Sequence, residues 1–465
     1  MANQGSGRTA IKTAAGLAAW WGLLCWFAHD RGVGVFAPLD RTWQLLDLHW
    51  LHVDPWGCLW RLHAQPPLYN AAIAGILAAD LNPTGAVVHA LLDSLGLLGG
   101  LLTWRLALRF GAGQWSAALA GALLMASPGY WLVAHWLFYD QPVTVSLSIL
   151  WLATPVAAQG RTAAWITVAA SVVALGWLRS LFHPAWAVGV FVLIAWTRPP
   201  LPRRTWVVAT LTLGLMTLPY AKNFAQFGTA NASTWAGMSL LRTAHAASAP
   251  EIRRDLAARG QLSQAGVVGP FRDLHAYVAP TKNHHCPDPH PAVCAPHKLQ
   301  GGPNFNHADY IALSRQMVHD AFAIYGAEPT AWLRAQLGSW LAWLRPVGVY
   351  PFLRPARQPI EDVHTAWAQI VLLEVDGAAV VLTFGVFGAL TLVGVRLVRS
   401  ARRDQHGPEF ALLAVSAWTV AWVALVGNTL EHGENYRFRA YLDPLLLAVC
   451  ASAGSQAWRR LACNR

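Results

Sequence analysis

The chain has 465 residues, of which 55% are hydrophobic and 12% charged, and its formal net charge is +11. A soluble globular protein carries roughly 25% charged residues, so about half the charge that a water-exposed surface needs is missing. This composition excludes a soluble enzyme, a disordered chain and a nucleic-acid-binding domain, and it predicts an all-α, polytopic membrane protein.

A spanning helix needs about 20 mostly apolar residues. The first such run, 11–28, follows Arg8 and Lys12 and has no small-residue cleavage site, which predicts an uncleaved anchor. Further runs lie at 84–108, 113–133, 141–158, 162–178, 184–197, 204–220, 375–396, 409–428 and 440–458, giving about ten spans. The stretch 66–80 (PPLYNAAIAGILAAD) is too short to span and fits a helix lying in the outer interface.

Arginines set the orientation. With the amino terminus in the cytoplasm, Arg105, Arg109, Arg161, Arg198, Arg203, Arg204, Arg396, Arg399, Arg402, Arg403 and the carboxyl terminus all fall inside, as the positive-inside bias requires. The basic excess is thus a topology and lipid-surface signal and not a nucleic-acid footprint. Most of the 25 tryptophans fit as interfacial anchors or packing residues. The expected organisation is an N-terminal membrane module (1–220) carrying a first outer loop (29–83), an extracytoplasmic, mixed but mostly helical segment (221–374), and C-terminal spans (375–465). A loop as long as 221–374 is usually functional or a small domain.

Cys286 and Cys294 stand in that outer segment (HHCPDPHPAVCAPH), where an oxidising compartment would let them form a disulfide. A metal site is the alternative, since His284, His285, His290 and His297 flank them. The proline-broken C-x7-C spacing does not match the usual zinc pairs. Cys25, Cys450 and Cys463 fall in or beside spans, and Cys58 is an outside thiol.

Acidic residues number only 23, and several stand at outer span ends: Asp40, Asp47, Asp54, Asp140, Glu431, Glu434 and Asp443. Carboxylates at a membrane boundary are costly unless paired, which makes them functional candidates. Asp93 is the exception, placed within the outer third of its helix. The segment 39–70 (LDRTWQLLDLHWLHVDPWGCLWRLHAQPPLYN) sets Asp40 and Asp47 one heptad apart on one expected helical face. It ends with His63, Gln65 and the rigid Pro66–Pro67 pair, which stops one helix and starts the next.

This arrangement resembles the first outer loop of the GT-C glycosyltransferases that use polyprenyl-phosphate sugars, among them the protein O-mannosyltransferases and the aminoarabinose transferases of lipid A. In that family an acidic motif follows the first span and an H/K-P-P-L-like motif comes some residues later. Here the acidic residue is Asp40 or Asp47, and the later motif is Gln65-Pro66-Pro67-Leu68, with His63 two residues ahead. Asp140, in LFYDQPVTV, is similar to the family's acidic residue at the start of a later span. GENYRFRAYLDP (433–444) is similar to an arginine-bearing approach to the last span. The family's paired D-E is absent, since Arg41 follows Asp40 and Leu48 follows Asp47.

The resemblance implies transfer of a sugar from a lipid-linked donor to a glycan, lipid or protein acceptor, with inversion, at the outer face of a bacterial inner membrane. Asp40, Asp47 and Asp140 are the expected carboxylates, one of them a general base. Spacing to the Pro-Pro pair favours Asp40, while the apolar surroundings of Asp47 would hold a carboxylate more firmly. Arg179, Arg437 and Arg439, with His63, Gln65 and His183, are the expected groups for the donor and its departing phosphate. Arg437 and Arg439 run against the positive-inside bias, so orientation gives no reason for them. No cofactor is implied, and a divalent cation is left open. The rival readings are a lipid or glycan transporter, for which no internal repeat is evident, and a non-catalytic assembly protein. Convergence of Asp40, Asp47, Asp140 and Arg437 on one cavity favours the transferase, dispersal favours the assembly protein, and a path through both leaflets favours transport.

Overall fold

Apolar runs become helices almost throughout the computed structural model, which describes residues 4–196, 202–277, 288–375, 378–402 and 407–463. The first run is α1 (Gln4–Asp30). Residues 31–85 then make three short helices, α2 (Leu48–Val53), α3 (Pro55–Arg61) and α4 (Leu68–Ala78). Each starts at a local signal. Asp47 accepts from the His49 and Trp50 N–H groups, Asp54 accepts from Gly57 with Pro55 in the first turn, and Pro67 precedes α4. The Pro66–Pro67 pair therefore starts a helix as expected, but it does not stop one, since α3 already ends at Arg61. The expected helical face carrying both Asp40 and Asp47 does not form: residues 39–47 run in turns, and the helix begins only at Leu48.

Next come α5 (Ala86–Arg109), α6 (Gln114–Ala126) and α7 (Pro128–Ala134). The expected single span 113–133 is broken, because Ser127 is extended ahead of Pro128 and the two halves bend by 68°. Four helices follow: α8 (Asp140–Ala157), α9 (Thr162–Leu178), α10 (Pro184–Ala195) and α11 (Arg203–Phe227).

The long segment after α11 holds α12 (Ala236–Ala247), α13 (Pro250–Ala258), α14 (Gln264–Val268), α15 (Pro291–Cys294), α16 (Asp309–Ala327) and α17 (Pro329–Trp343). It continues through α18 (Arg354–Arg357) and α19 (Glu361–Ala366) to a two-stranded antiparallel hairpin, β1 (Glu374–Val375) and β2 (Ala378–Ala379), with Glu374 opposite Ala379. The carboxyl-terminal part is α20 (Val380–Arg402), α21 (Pro408–Leu430), the short α22 (Asn435–Ala440) and α23 (Asp443–Cys463).

The fold is helical, as the composition predicts. The segments Gly7–Asp30, Ala86–Arg109, Val380–Ala401 and Pro408–Leu430 are long and apolar enough to cross a membrane, and the bent α6–α7 pair would make a fifth. Length and composition thus account for four or five crossings among the described residues, fewer than the ten expected. Large apolar side chains such as Leu23, Trp26, Leu91, Trp115, Leu119, Leu211 and Phe384 stand exposed on the outer helix faces, an outward surface that lipid suits better than water.

Close backbone approach holds the centre together. α5 presents Gly96, Gly99 and Gly100 to its neighbours, and a Cβ on Gly121 of α6 would come within 2.7 Å of the Gly100 carbonyl oxygen. Small residues at such a crossing let helices gain van der Waals contact where apolar burial alone gives no preference over lipid. α8 packs against α5, α9 and α21 and buries Val143, Leu147, Leu150 and Trp151. This rigid interior carries Asp140 at its end.

Candidate functional site

Asp140 is the first residue of α8 and is buried. Its carboxylate receives two parallel hydrogen bonds from Arg437, Nε to Oδ2 at 3.0 Å and Nη2 to Oδ1 at 3.0 Å. The Tyr441 hydroxyl donates to Oδ1 as well. Arg437 lies on α22, where its Nη1 reaches Glu434 Oε2 at 2.5 Å, one helical turn away. Its guanidinium is boxed by the rings of Trp136, Phe138, Tyr139 and Tyr350, with centroids 5.0–5.7 Å away. Arg179, at the end of α9, donates to the hydroxyls of Tyr139 at 2.9 Å and Tyr441 at 3.0 Å, and its Nη2 lies 4.0 Å from Glu434.

The segment between α11 and α20 closes the network. Arg242 of α12 lies 3.3 Å from Glu431 and 3.6 Å from Glu434, Ser239 donates to Glu431 at 3.1 Å, and Tyr350 donates to Glu434 at 3.2 Å. Three guanidiniums thus meet three carboxylates (Asp140, Glu431, Glu434), and the charges cancel. That balance is what makes so much buried charge tolerable. The two glutamates differ in proton affinity. Burial and the adjacent Glu434 charge push Glu431 up. Burial also acts to raise Glu434, but Arg437, Arg242 and Arg179 outweigh it and hold that carboxyl down.

The network is a partition between two hollows, each of about 300 Å³. One is an apolar groove between α6–α7, α20 and α23, lined by Leu123, Val133, Val371, Leu382, Val386 and Leu446. Its charged end is formed by Asp140, Arg437, Arg439 and Asp443. Arg439 Nη1 sits 2.5 Å from Asp443, and its buried Nε has no hydrogen-bond partner among the described residues. The other hollow is polar, with Gln65, Arg179, His183, Asn231, Arg242, Glu431 and Glu434 in its wall. On one side of it Trp43 stacks on Phe271, ring centroids 5.2 Å apart at 19°. Phe271 is held at φ +54°, a conformation that a bulky residue adopts only at a cost.

Asp140, Arg179, Arg437, Arg439, Gln65 and His183 are therefore gathered at or beside the partition. The first-loop carboxylates are not, so the expected convergence of Asp40, Asp47, Asp140 and Arg437 on one cavity holds for Asp140 and Arg437 alone. Asp40 is exposed, with Arg41 as its ion partner at 3.7 Å. Asp47 is buried, but its oxygens accept from His49, Trp50 and, across the fold, the Leu299 N–H at 2.5 Å. A carboxylate already holding three backbone donors is a cap and a tie between segments. It lines neither hollow.

His63 is also structural. It is fully buried, its Nδ1 pairs with Thr234 at 2.8 Å, and burial depresses its imidazole to about 3. His183 caps α10 by accepting from Ala185 N–H at 3.1 Å while lining the polar hollow. Cys286, and with it the Cys286–Cys294 pairing, lies outside the described residues.

The sequence reading singled out Glu431 and Glu434 only as members of the outer acidic set and did not single out Tyr139, Tyr441 or Arg242 for the site. The signal available for Glu434 was its i,i+3 spacing to Arg437. Nothing local marks Arg242, which arrives from a distant segment.

Searches with the chain found no matching protein-family model, no matching curated protein and no matching solved structure.

Proposed function

We propose that the protein is an integral-membrane glycosyltransferase of the GT-C type that moves a sugar from a polyprenyl-phosphate donor to an acceptor, with inversion. In this reading it is a multi-pass protein of a bacterial inner membrane with about ten spans, and the site faces the extracytoplasmic side. One observation carries it: a buried, charge-balanced partition with an apolar groove on one side and a polar, aromatic-walled hollow on the other. A lipid-linked saccharide has this same division, a long hydrocarbon tail, an anionic head and a polar sugar.

The prenyl chain occupies the groove, and its phosphate meets Arg439, whose Nε is unengaged among the described residues, and Arg437. An anion there competes with Glu434 and Asp140 for the guanidinium. The sugar and the acceptor meet in the polar hollow, where the Trp43–Phe271 stack offers an apolar face to a pyranose ring. Glu431, with its raised proton affinity, accepts the acceptor's proton. The acceptor oxygen or nitrogen then bonds to the anomeric carbon as the bond to the phosphate oxygen breaks. The electron pair passes to the phosphate, and Arg437 and Arg179 stabilise the growing charge. Asp140 positions Arg437 by its two-point grip. The step needs no cofactor, because the phosphate is already a good leaving group.

The test is to incubate the purified protein with a panel of polyprenyl-phosphate sugars and follow which is consumed. Glu431→Gln is expected to lower turnover by roughly 10²–10⁴-fold, the usual contribution of a general base, with unchanged helicity. If no lipid-linked sugar is consumed, the transferase reading is wrong. If Asp40→Asn or Asp47→Asn abolishes transfer while Glu431→Gln does not, the base lies in the first outer loop.

A further inference from the structure

We propose that Cys25, Asp93, His135 and His89 form a structural zinc site that ties α1 and α5 to the end of α7. The inference is independent of the transferase reading. Sequence spacing does not suggest it, because the four residues come from three separate segments.

The donor geometry is the first argument. The ligand atoms of Cys25, Asp93 and His135 all lie within 4.8 Å of one another. Cys25 Sγ is 3.5 Å from Asp93 Oδ1, His135 Nε2 is 3.0 Å from the same oxygen, and His89 Nε2 is 3.8 Å from Oδ2. Bonds of about 2.0–2.3 Å in a tetrahedron hold neighbouring donor atoms roughly 3.3–3.6 Å apart. His89 stands beside this trio and would turn toward it to supply a fourth donor.

The tautomer of His135 is the second. Its Nδ1 lies 2.8 Å from the Trp131 carbonyl oxygen, which can only accept, so Nδ1 carries the proton. Nε2 faces the Asp93 carboxylate at 3.0 Å. An ion placed there would also meet the thiol and the second imidazole that converge on the same carboxylate. A ligating histidine ordinarily gives its other N–H to a carbonyl or carboxylate in this manner. Trp21 supplies a further outer contact, donating from Nε1 to the Asp93 carbonyl at 2.9 Å and stacking on the His135 ring.

Charge is the third. The cluster sits among apolar helices, where an uncompensated carboxylate is costly. A divalent ion, a thiolate and a carboxylate sum to zero. On binding, the ion takes the sulfur lone pair and the thiol proton leaves to solvent, with no change of oxidation state. The set of one thiolate, two imidazoles and one carboxylate suits zinc. With His89 turned in, four protein ligands leave no open position, and the site is structural. Asp93 and His89 are partly exposed, at 33% and 26%, and give the ion a route from the surface. His135 closes the inner side at 3%. A second group, Asp273, His275 and His297, lies more exposed on the outer segment and lacks a thiol, which makes it a control.

The full chain, purified in detergent without a histidine tag and stripped with chelator, is reloaded with Zn²⁺ or with Co²⁺ as a spectroscopic probe. We expect about one zinc per chain, as one four-ligand site requires, together with the visible bands of tetrahedral cobalt and a near-ultraviolet thiolate-to-cobalt band. Zinc should also shield the Cys25 thiol of the unaltered protein from maleimide, a readout that needs no variant. Cys25→Ser should abolish the thiolate band, Asp93→Asn should lower zinc occupancy at least tenfold, and His297→Ala should change neither. Zinc content no higher than in the stripped protein, no protection of Cys25, or a cobalt spectrum unchanged by Cys25→Ser would each overturn the proposal.

Discussion

Asp140 and Arg437 are both almost fully buried, at 3% and 1% side-chain exposure, and they share two parallel hydrogen bonds. Asp140→Asn keeps the shape and one acceptor oxygen, but it removes the charge and turns an amide NH₂ toward a guanidinium. Removing one partner of a buried pair costs about 3–5 kcal/mol. Arg437 would still hold Glu434 at 2.5 Å, which places this substitution at the low end, about 3 kcal/mol. Arg437→Gln strands Asp140 with only the Tyr441 hydroxyl, while Glu434 keeps Arg242 and Arg179, so about 4 kcal/mol is expected. In the double variant two neutral amides face each other and no buried charge lacks its partner at this position. Its loss should therefore be about 4–5 kcal/mol instead of the sum of about 7, a coupling of about 2–3 kcal/mol. The assay is a denaturant titration in mixed micelles read by tryptophan fluorescence, for which the chain has 25 reporters. Additivity of the two single losses to within about 0.5 kcal/mol would refute the pairing.

Four further outcomes follow from the same structure. Burial holds the His63 imidazole at about 3 against 6.5 in the open chain, so the unfolded state binds the extra proton between those values. Stability should be full above about pH 6.5 and fall as the pH drops, by about 2 kcal/mol at pH 5, and His63→Gln should flatten that slope. Because burial and Glu434 raise Glu431, transferase turnover should decline on acidification at a pH above the ordinary glutamate range, and Glu431→Gln should leave no such inflection in the residual rate. Asp47→Ala removes acceptors for His49, Trp50 and Leu299 and should cost about 1–3 kcal/mol of stability while the rate of the folded fraction stays near that of the parent protein. Gly121→Leu forces α5 and α6 apart, since even a Cβ there would come within 2.7 Å of the Gly100 carbonyl oxygen, and should cost about 1–3 kcal/mol, read as a lower unfolding midpoint.

Local chemistry is enough to place most helices. An apolar run must satisfy its own backbone in a lipid-like surrounding, so the runs at 84–108, 162–178 and 409–428 become α5, α9 and α21 within a few residues. Pro67 starts α4 for the same reason, since a fixed φ acts on its immediate neighbours. The heptad between Asp40 and Asp47 failed because periodicity holds only where a helix forms. Residues 39–47 instead turn, with Asn70 accepting from the Leu46 N–H and donating to the Gln44 carbonyl. Those bonds reach across more than twenty positions, beyond any local window.

Residue type and sidedness were enough to mark Asp140, Arg179, Arg437 and Arg439 as costly groups in need of partners. Which partner each takes depends on three-dimensional packing, because Asp140 and Arg437 are 297 positions apart and Asp47 meets Leu299 across 252. Cys25 meets Asp93 and His135 only because α1, α5 and the bent α6–α7 pair cross where small residues let them approach. Hydropathy acts along the chain and is written in single residues. Charge pairing and ligand convergence act through space, and they take form only once the helices have packed.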